Sequence, residues 1–323
     1  TIGGNPGENL TPLDIVKFTA AFAASLNRDN GNNKIVIGRD GRISGKMVSS
    51  LYANTLIASG FDVIDLGLTT TPTVEIAVKA ESAAGGIILT ASHNPKEWNA
   101  LKLLNSEGEF INAEAGEKVL NIAEKGAFHF VPVDKLGTYK EDNSYLQKHI
   151  DAIINYPLID VDAIKKAKFK IVLDPINSSG AIYIPALLKA LGVKDVIVIN
   201  EEVNGKFEHN PEPLPKNLIA LSNEVVKQNA SLGIAVDPDV DRLCFVCEDG
   251  SMFGEEYTLV AVADYILTHR KGNTVSNMSS TKSLKEITQK HGGEYFPSAV
   301  GEVNKADKMK EANAVIGGEG NGG

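Results

Sequence analysis

Short apolar runs alternate with amphipathic stretches along the chain, and their order predicts its elements. Lys34-Ile35-Val36-Ile37 is a β-branched strand running into the polar loop Gly38-Arg39-Asp40-Gly41-Arg42-Ile43-Ser44-Gly45, after which 46–59 has helical spacing. A strand over 61–66, a helix opened near Pro72 and the apolar run Gly86-Ile87-Ile88-Leu89 follow. Pro72 suits a first helical turn, where its missing N–H would have no partner. The segment 99–105 reads as a strand with Lys102 among apolar residues, 112–125 and 144–154 read as helices, and Tyr156-Pro157 reads as a linker. Strand 169–174, a loop ending Ser178-Ser179-Gly180 and helix 181–191 then replay the first unit as a weak internal repeat. Strand 195–200, the proline-bearing loop 205–215, helix 217–228 and strands 231–236 and 243–247 continue it. From Glu255 the alternation restarts, with helices over 256–269, 281–291 and 302–311 and strands over 274–278, 294–299 and 314–316. Strand, polar glycine loop and helix in succession mark an α/β protein, and the third unit stops without a closing helix.

A chain of 323 residues exceeds one ordinary core, so two or three domains are expected. Hydrophobic residues make up 43% and charges are spread without long runs, as in a soluble globular protein. A formal net charge of −9 without a basic run excludes a nucleic-acid-binding surface, so an anionic ligand must be held by a few placed cations. No apolar stretch approaches the roughly 20 residues that span a bilayer, and Thr1-Ile2-Gly3-Gly4 lacks a basic-then-apolar signal. No membrane partner is expected, and the cytoplasm is the default compartment. Cys244 and Cys247, three apart in a strand, point to opposite faces and read as reduced thiols rather than a metal or redox pair.

Candidate chemistry sits in two loops. Thr90-Ala91-Ser92-His93-Asn94-Pro95 places a hydroxyl among small and turn-forming residues directly after an apolar strand. A strand that stops in a polar turn presents the next side chains at the carboxyl edge of its sheet, where open α/β sheets bind ligands, which makes Ser92 a candidate nucleophile. The same six residues also suit an ordinary turn. Asp237-Pro238-Asp239-Val240-Asp241-Arg242 places carboxylates at i, i+2 and i+4, which in extended backbone share a face and can converge on one hard cation. Without a cation each carboxylate would raise the pKa of the next, so an oxygen-ligated divalent ion, Mg²⁺ foremost, is the natural occupant. A solvated acidic turn is the alternative, and a calcium loop fits less well because Arg242 stands at its usual glycine position. Arg242 could turn its fork to phosphate or simply neutralise its acidic neighbours.

These two loops, with Lys102 ten positions after Ser92 and Gly318-Glu319-Gly320-Asn321-Gly322 near the end, resemble the α-D-phosphohexomutases: phosphoglucomutase, phosphomannomutase and phosphoglucosamine mutase. The motifs stand in family order and spacing over essentially the whole chain. The resemblance implies consecutive, similar αβα domains with mixed sheets. Domain I covers 1–153 with a phosphoserine loop, domain II covers 154–254 with a metal loop, and domain III covers 255–323, incomplete, with a sugar-binding loop. The family's fourth domain and N-terminal Arg-Gly segment have no counterpart in these residues. By position, the resemblance makes Ser92 the serine phosphorylated in the resting enzyme, and Asp237, Asp239 and Asp241 the ligands of Mg²⁺ together with the phosphoserine oxygen. Lys102 becomes the general acid/base, with His93 close by. Gly301-Glu302-Val303 matches a substrate loop, Glu319 and Asn321 match side chains that hold sugar hydroxyls, and Arg39 lies in a loop near the cleft, binding substrate or serving structure.

The implied activity is that of an isomerase of carbohydrate metabolism. A phosphoserine gives its phosphoryl group to a hexose 1- or 6-phosphate, and the hexose 1,6-bisphosphate so formed turns over and returns its other phosphoryl group. Lys102 needs a lowered pKa for proton exchange near neutrality, which burial or Arg242 could supply. Asn321 stands where several relatives have Ser, Gly323 where they have His, and Glu302 where some have His, so the sugar (glucosamine, mannose or glucose) is left open. A monomer or homodimer is expected. Two other readings are a metal-dependent sugar phosphatase and a truncated sugar-phosphate-binding fragment without turnover.

Overall fold

The computed structural model describes residues 2–28 and 32–320, with Glu255 described by its backbone alone. The first domain contains β1 (Ile2–Gly4), α1 (Pro12–Ser25), β2 (Lys34–Arg39), α2 (Gly45–Ala58), β3 (Asp62–Leu68), α3 (Thr71–Ala80), β4 (Gly85–Leu89), β5 (Asn99–Leu104), α4 (Ala113–Lys125) and β6 (Tyr139–Glu141). Its sheet has the order β1-β5-β4-β2-β3-β6 and is mixed: β2 pairs in parallel with β3 and β4, whereas β5 runs antiparallel to both β4 and β1. Then α5 (Tyr145–Ile154) leads out of this domain, with Tyr145 buried in its core. The second domain comprises α6 (Val161–Ala167), β7 (Lys170–Asp174), α7 (Gly180–Ala190), β8 (Asp195–Val198), α8 (Ile219–Gln228), β9 (Leu232–Val236) and β10 (Leu243–Cys247), with sheet order β10-β9-β7-β8. In the third domain lie α9 (Glu255–His269), β11 (Asn273–Asn277), α10 (Ser283–Lys290), β12 (Tyr295–Ser298), α11 (Glu302–Glu311) and β13 (Ala314–Gly318), whose three described strands run parallel in the order β12-β11-β13. Among the described residues no helix is long and apolar enough to cross a membrane.

The three sheets are copies of one plan. In each, the first parallel strand (β2, β7, β11) is central, the second (β3, β8, β12) pairs on one side, and the third (β4, β9, β13) pairs on the other. In the first two domains an antiparallel strand, β5 or β10, then pairs with the third. The weak repeat in the sequence is therefore a repeat of topology, of which the described residues of the third domain form the first three parallel strands.

Each of the first two sheets is apolar on both faces, as a sheet between helix layers must be. Ile35, Ile37, Ile87 and Leu89 pack into one layer with Phe22 of α1 and Leu56 of α2, while the alternate residues Val36 and Ile88 pack into the other with Val74 and Val78 of α3. In the second domain Val172 and Ala235 face Leu221 and Val225 of α8, and Ile171, Leu173 and Val236 face Leu188 of α7. The period-two alternation of strand side chains produces this division directly. The strand carrying the cysteines follows it too, with Cys244 buried and Cys247 half-buried.

Two elements ahead of Lys34 did not emerge from the apolar pattern. β1 is a short edge strand, and α1 begins at a capping box: the Asp14 N–H donates to Thr11 Oγ1 at 3.3 Å and the Thr11 N–H donates to Asp14 Oδ2 at 2.8 Å. These reciprocal bonds satisfy two backbone donors that a helix start otherwise leaves open. Thr11→Ala should therefore lower stability by about 0.5–2 kcal/mol in urea unfolding. Leu13→Ala, two residues on at an 80% exposed position, should change it by less than about 0.5 kcal/mol. Equal losses from the two would contradict this account of the helix start.

Candidate active site

Ser92 and Asp237 follow corresponding strands of different domains, β4 and β9, and the sheets are set so that their carboxyl edges meet. Ser92 Oγ donates to Asp237 Oδ2 at 2.8 Å across this boundary. Asp237, Asp239 and Asp241 each bring one carboxylate oxygen within 4.8 Å of the others, with Asp237 and Asp239 fully buried. Lys102, delivered by β5 opposite Ile88, donates to Asp239 Oδ2 at 2.7 Å and to Asp241 Oδ2 at 2.9 Å. Thr71 at the start of α3 adds its hydroxyl to Asp239 Oδ2 at 2.6 Å and its N–H to the Asp239 carbonyl at 2.9 Å. The remaining oxygens, Asp239 Oδ1 and Asp241 Oδ1, are buried and have no hydrogen-bond partner among the described residues. Orphaned buried carboxylate oxygens are costly unless something cationic meets them, and an all-oxygen donor set within 4.8 Å suits a hard divalent ion. The residues present therefore fit a bound cation.

The electrostatics follow from this crowding. Burial and the two neighbouring acids push the Asp237 carboxyl well above the usual carboxylate range. Asp239 goes the other way: burial opposes ionisation, but Lys102 and Thr71 outweigh it and hold the group down to about 2. Lys102 departs from expectation. Burial does lower its pKa, as its place among apolar residues suggested, but the two carboxylates in contact raise it further and the net shift is upward. Its ammonium is held charged, which a residue reading could not foresee because its acids lie 137 and 139 positions away in sequence. His93 Nδ1 lies 3.4 Å from Ser92 Oγ, and burial together with nearby Arg242 lowers its pKa, favouring the neutral ring.

A cavity of about 390 Å³ opens beside this cluster. Ser92, His93, Lys102, Asp241, Arg242, Glu302 and Glu319 all border it, drawn from three domains. Gly301, with φ +112°, is the N-terminal cap of α11 and places Glu302 at the rim. Glu319 follows β13 as Ser92 follows β4 and Asp237 follows β9, so each repeat contributes the loop after its third strand. Arg242 Nη1 is 3.8 Å from Glu212. Arg39 turns away: it ends β2, donates from Nη1 to the Asp40 carbonyl at 3.2 Å and packs against Gly45. Asn321 lies outside the described residues.

The residue reading passed over several side chains at this site. Arg42, three residues beyond Arg39 in the loop after β2, is 1% exposed and faces the Ser92 loop. The Asp40/Arg42 pair, opposite charges two apart in a polar loop, was the available signal. Thr71 and Glu75 share a face of α3, and only their helical spacing of four marked them. Lys305 also borders the cavity.

Fold and site together describe a multidomain α/β protein with a serine hydroxyl set against a cation-ready trio of acids. Three family models match in succession: phosphoglucomutase/phosphomannomutase α/β/α domain I over 2–130, domain II over 147–250 and domain III over 254–323. A phosphoglucomutase/phosphomannomutase of Thermococcus kodakarensis is 34% identical, the match covering 100% of this chain and 70% of that protein. A probable phosphoglucosamine mutase of Methanopyrus kandleri is 32% identical over 99% of this chain and 69% of its own length. A putative phosphomannomutase structure from Thermus thermophilus superposes with a TM-score of 0.88 at 25% identity, covering 99% of this chain and 72% of that one. The chain belongs to the phosphoglucomutase/phosphomannomutase family, whose members are isomerases.

Glu75 shows how strongly the cavity wall is biased. Burial, then Glu302 across the cleft, raise its carboxyl to about 8, with Lys102 opposing. A carboxyl that binds its proton more tightly when folded contributes stability that is fully present below its ordinary 4.5 and is lost as pH rises through about 8. Glu75→Gln should remove this slope, leaving the variant more stable than wild type near pH 8 by on the order of 1–2 kcal/mol in urea unfolding. Parallel stability curves for the two proteins over this range would contradict it.

Proposed function

We propose that this chain interconverts hexose 1-phosphates and hexose 6-phosphates through a phosphoserine at Ser92 and a hexose 1,6-bisphosphate. The contact that carries the reading is the 2.8 Å hydrogen bond from Ser92 Oγ to Asp237, which sets a strand-end serine of the cavity against a cluster fit for a cation. The names of the relatives support the reaction class, and both phosphomannomutase and phosphoglucosamine mutase are among them.

Asp237, Asp239 and Asp241, with the Ser92 oxygen, would hold Mg²⁺, which when bound neutralises negative charge gathering on a phosphoryl group in transit. The chain's own residues do the rest. In the forward step the bond from phosphorus to the Ser92 oxygen breaks and a bond to the free sugar hydroxyl forms, while that hydroxyl loses its proton. Lys102 is the acid/base candidate for this proton, and cation binding to Asp239 and Asp241 would relax the pull that holds its ammonium charged. The neutral His93 ring beside Ser92 can accept the serine proton when the hydroxyl is free. Arg242 and Lys305 supply positive charge to a phosphate on the far side of the cavity, and Glu302 and Glu319 accept from sugar hydroxyls, as carboxylates do from vicinal donors. The bisphosphate then turns within the cleft and returns its other phosphoryl group to Ser92.

Incubating the protein with Mg²⁺, a trace of hexose 1,6-bisphosphate, and glucosamine 6-phosphate, mannose 6-phosphate or glucose 1-phosphate should yield the positional isomer of at least one. Ser92→Ala should abolish turnover, a loss of at least about 10³-fold, while leaving sugar-phosphate binding within severalfold. No isomer from any of the three sugars, or full activity in Ser92→Ala, would overturn the reading. Saturating Mg²⁺ should also raise the unfolding temperature of the wild type, and Asp239→Asn should lose most of that increment. An equal increment in both proteins would place the ion elsewhere.

A further inference from the structure

The loop that carries Ser92 is held from below by one side chain. The guanidinium of Arg42 has five N–H donors, and each of them is engaged. Nε donates to Asp40 Oδ2 at 3.0 Å. Nη1 donates to the carbonyls of Pro95 and Trp98 at 2.6 and 2.9 Å, and Nη2 to those of Ser92 and Asn94 at 2.6 and 2.7 Å. Asp40 closes the circuit, since its Oδ2 also accepts from Thr90 Oγ1 at 2.7 Å and Thr90 Oγ1 in turn accepts the Ser92 N–H at 2.9 Å. The whole assembly is withdrawn from solvent, with Asp40 and Thr90 unexposed and Arg42 1% exposed.

This circuit explains an otherwise unfavourable backbone. Ser92 has φ +48°, in the left-handed region that a residue with a Cβ rarely adopts, at a cost on the order of 1–2 kcal/mol. With four carbonyls of the loop drawn inward to one cation and the Ser92 N–H pinned by Thr90, the serine side chain is left to project toward Asp237. Lysine could not substitute: three donors on a tetrahedral ammonium cannot meet four carbonyls and a carboxylate lying around a planar fork. The second domain bears on the same group, for the Phe207 ring lies 5.1 Å from the guanidinium, and the Gly41 N–H donates to Ser178 Oγ at 2.9 Å while Ser178 Oγ donates to the Pro238 carbonyl at 2.6 Å. The clamp is thereby joined to the loop that carries the acids.

We propose that Arg42, with Asp40 and Thr90, is a positioning clamp that holds Ser92 in its left-handed conformation so that its oxygen can exchange a phosphoryl group beside the acid trio. This rests on the phosphoserine reading above. The reaction followed is transfer from a bisphosphate to the enzyme: the sugar O–P bond breaks, the Ser92 O–P bond forms, and the serine proton passes to the departing sugar oxygen.

The test treats the full chain with Mg²⁺ and glucose 1,6-bisphosphate and follows Ser92 phosphate by intact mass in wild type, Arg42→Lys and Thr90→Val. Hydrogen exchange of amides 92–98 and calorimetric Mg²⁺ affinity are measured alongside. A clamp predicts that phosphorylation slows about 100-fold in Arg42→Lys and about 10-fold in Thr90→Val, that exchange over 92–98 accelerates, and that Mg²⁺ affinity stays within about threefold. Should Arg42→Lys fail to fold, the near-isosteric Thr90→Val carries the test. Phosphorylation within about threefold of wild type with unchanged exchange would overturn the proposal. So would phosphorylation and Mg²⁺ affinity falling by the same factor, which marks a merely structural residue. If wild type itself takes up no phosphate, the phosphoserine reading fails, and the exchange measurement still decides on the clamp.

Discussion

Three carboxylates cannot be crowded into a protein interior unless positive charge or hydrogen-bond donors are brought to them, and here the ammonium and the hydroxyls come from another domain. The acids belong to the loop after β9, but the ammonium of Lys102 comes from β5, the hydroxyl and N–H of Thr71 from α3, and the hydroxyl of Ser92 from the loop after β4. The boundary between the first two domains is thus an electrostatic necessity of the second domain's loop. Neutral contacts fill in around it, such as Thr69 Oγ1 with Tyr183 OH at 2.8 Å. The third domain is tied differently, by the peripheral pair Lys310 and Glu109 at 2.7 Å and the Tyr265 hydroxyl on the Leu158 carbonyl at 2.9 Å. Exposed contacts of that kind contribute little, and beside them α9 packs near β10, with Tyr257 edge-on to Phe253 and Phe253 edge-on to Phe245.

A repeated topology makes the convergence possible. Because β4, β9 and β13 hold the same place in their sheets, the residues that follow them leave at the same corner of each domain. Turning those corners toward a common point brings a hydroxyl, an acid trio and a glutamate together without any long excursion of the chain. The antiparallel strand that follows in the first two domains has a separate effect, since β5 returns alongside β4 and sets Lys102 within reach of the acids.

How much of this was legible from the residues depended on how far each partner lies along the chain. Ser92 and the Asp237 to Arg242 loop could be read because strand, turn and alternating carboxylates are local patterns. The sign of the Lys102 shift could not, because it is decided by residues more than a hundred positions away. Beyond its pairing with Asp40, the role of Arg42 was hidden for the same reason: its carbonyl partners lie 50 to 56 positions on, and backbone oxygens carry no sequence signature at all. Arg39, three residues before it, has the same chemistry on paper but ends a strand, where its guanidinium donates to the Asp40 carbonyl. α1 was missed because its apolar face lacks a clean period, although Thr11-Pro12-Leu13-Asp14 carries the chemistry of a helix start.

The three acids are not equivalent, and the backbone shows why. Val240, a β-branched residue, has φ +60°, a conformation that persists only where its surroundings over-determine it. What over-determines it is Asp237: its carbonyl accepts the Val240 N–H at 3.1 Å, and its Oδ1 accepts the N–H groups of both Asp241 and Arg242 at 3.1 Å. Its Oδ2 is committed to Ser92. Asp237 therefore shapes the loop and fixes the serine with its carbonyl and both carboxylate oxygens, whereas Asp239 and Asp241 each keep one buried oxygen without a hydrogen-bond partner among the described residues. The loop divides its labour, one acid building the turn and docking the serine while the other two present oxygens that a cation could take up. The strain at Val240 follows from placing three acids in five residues on one side of the turn.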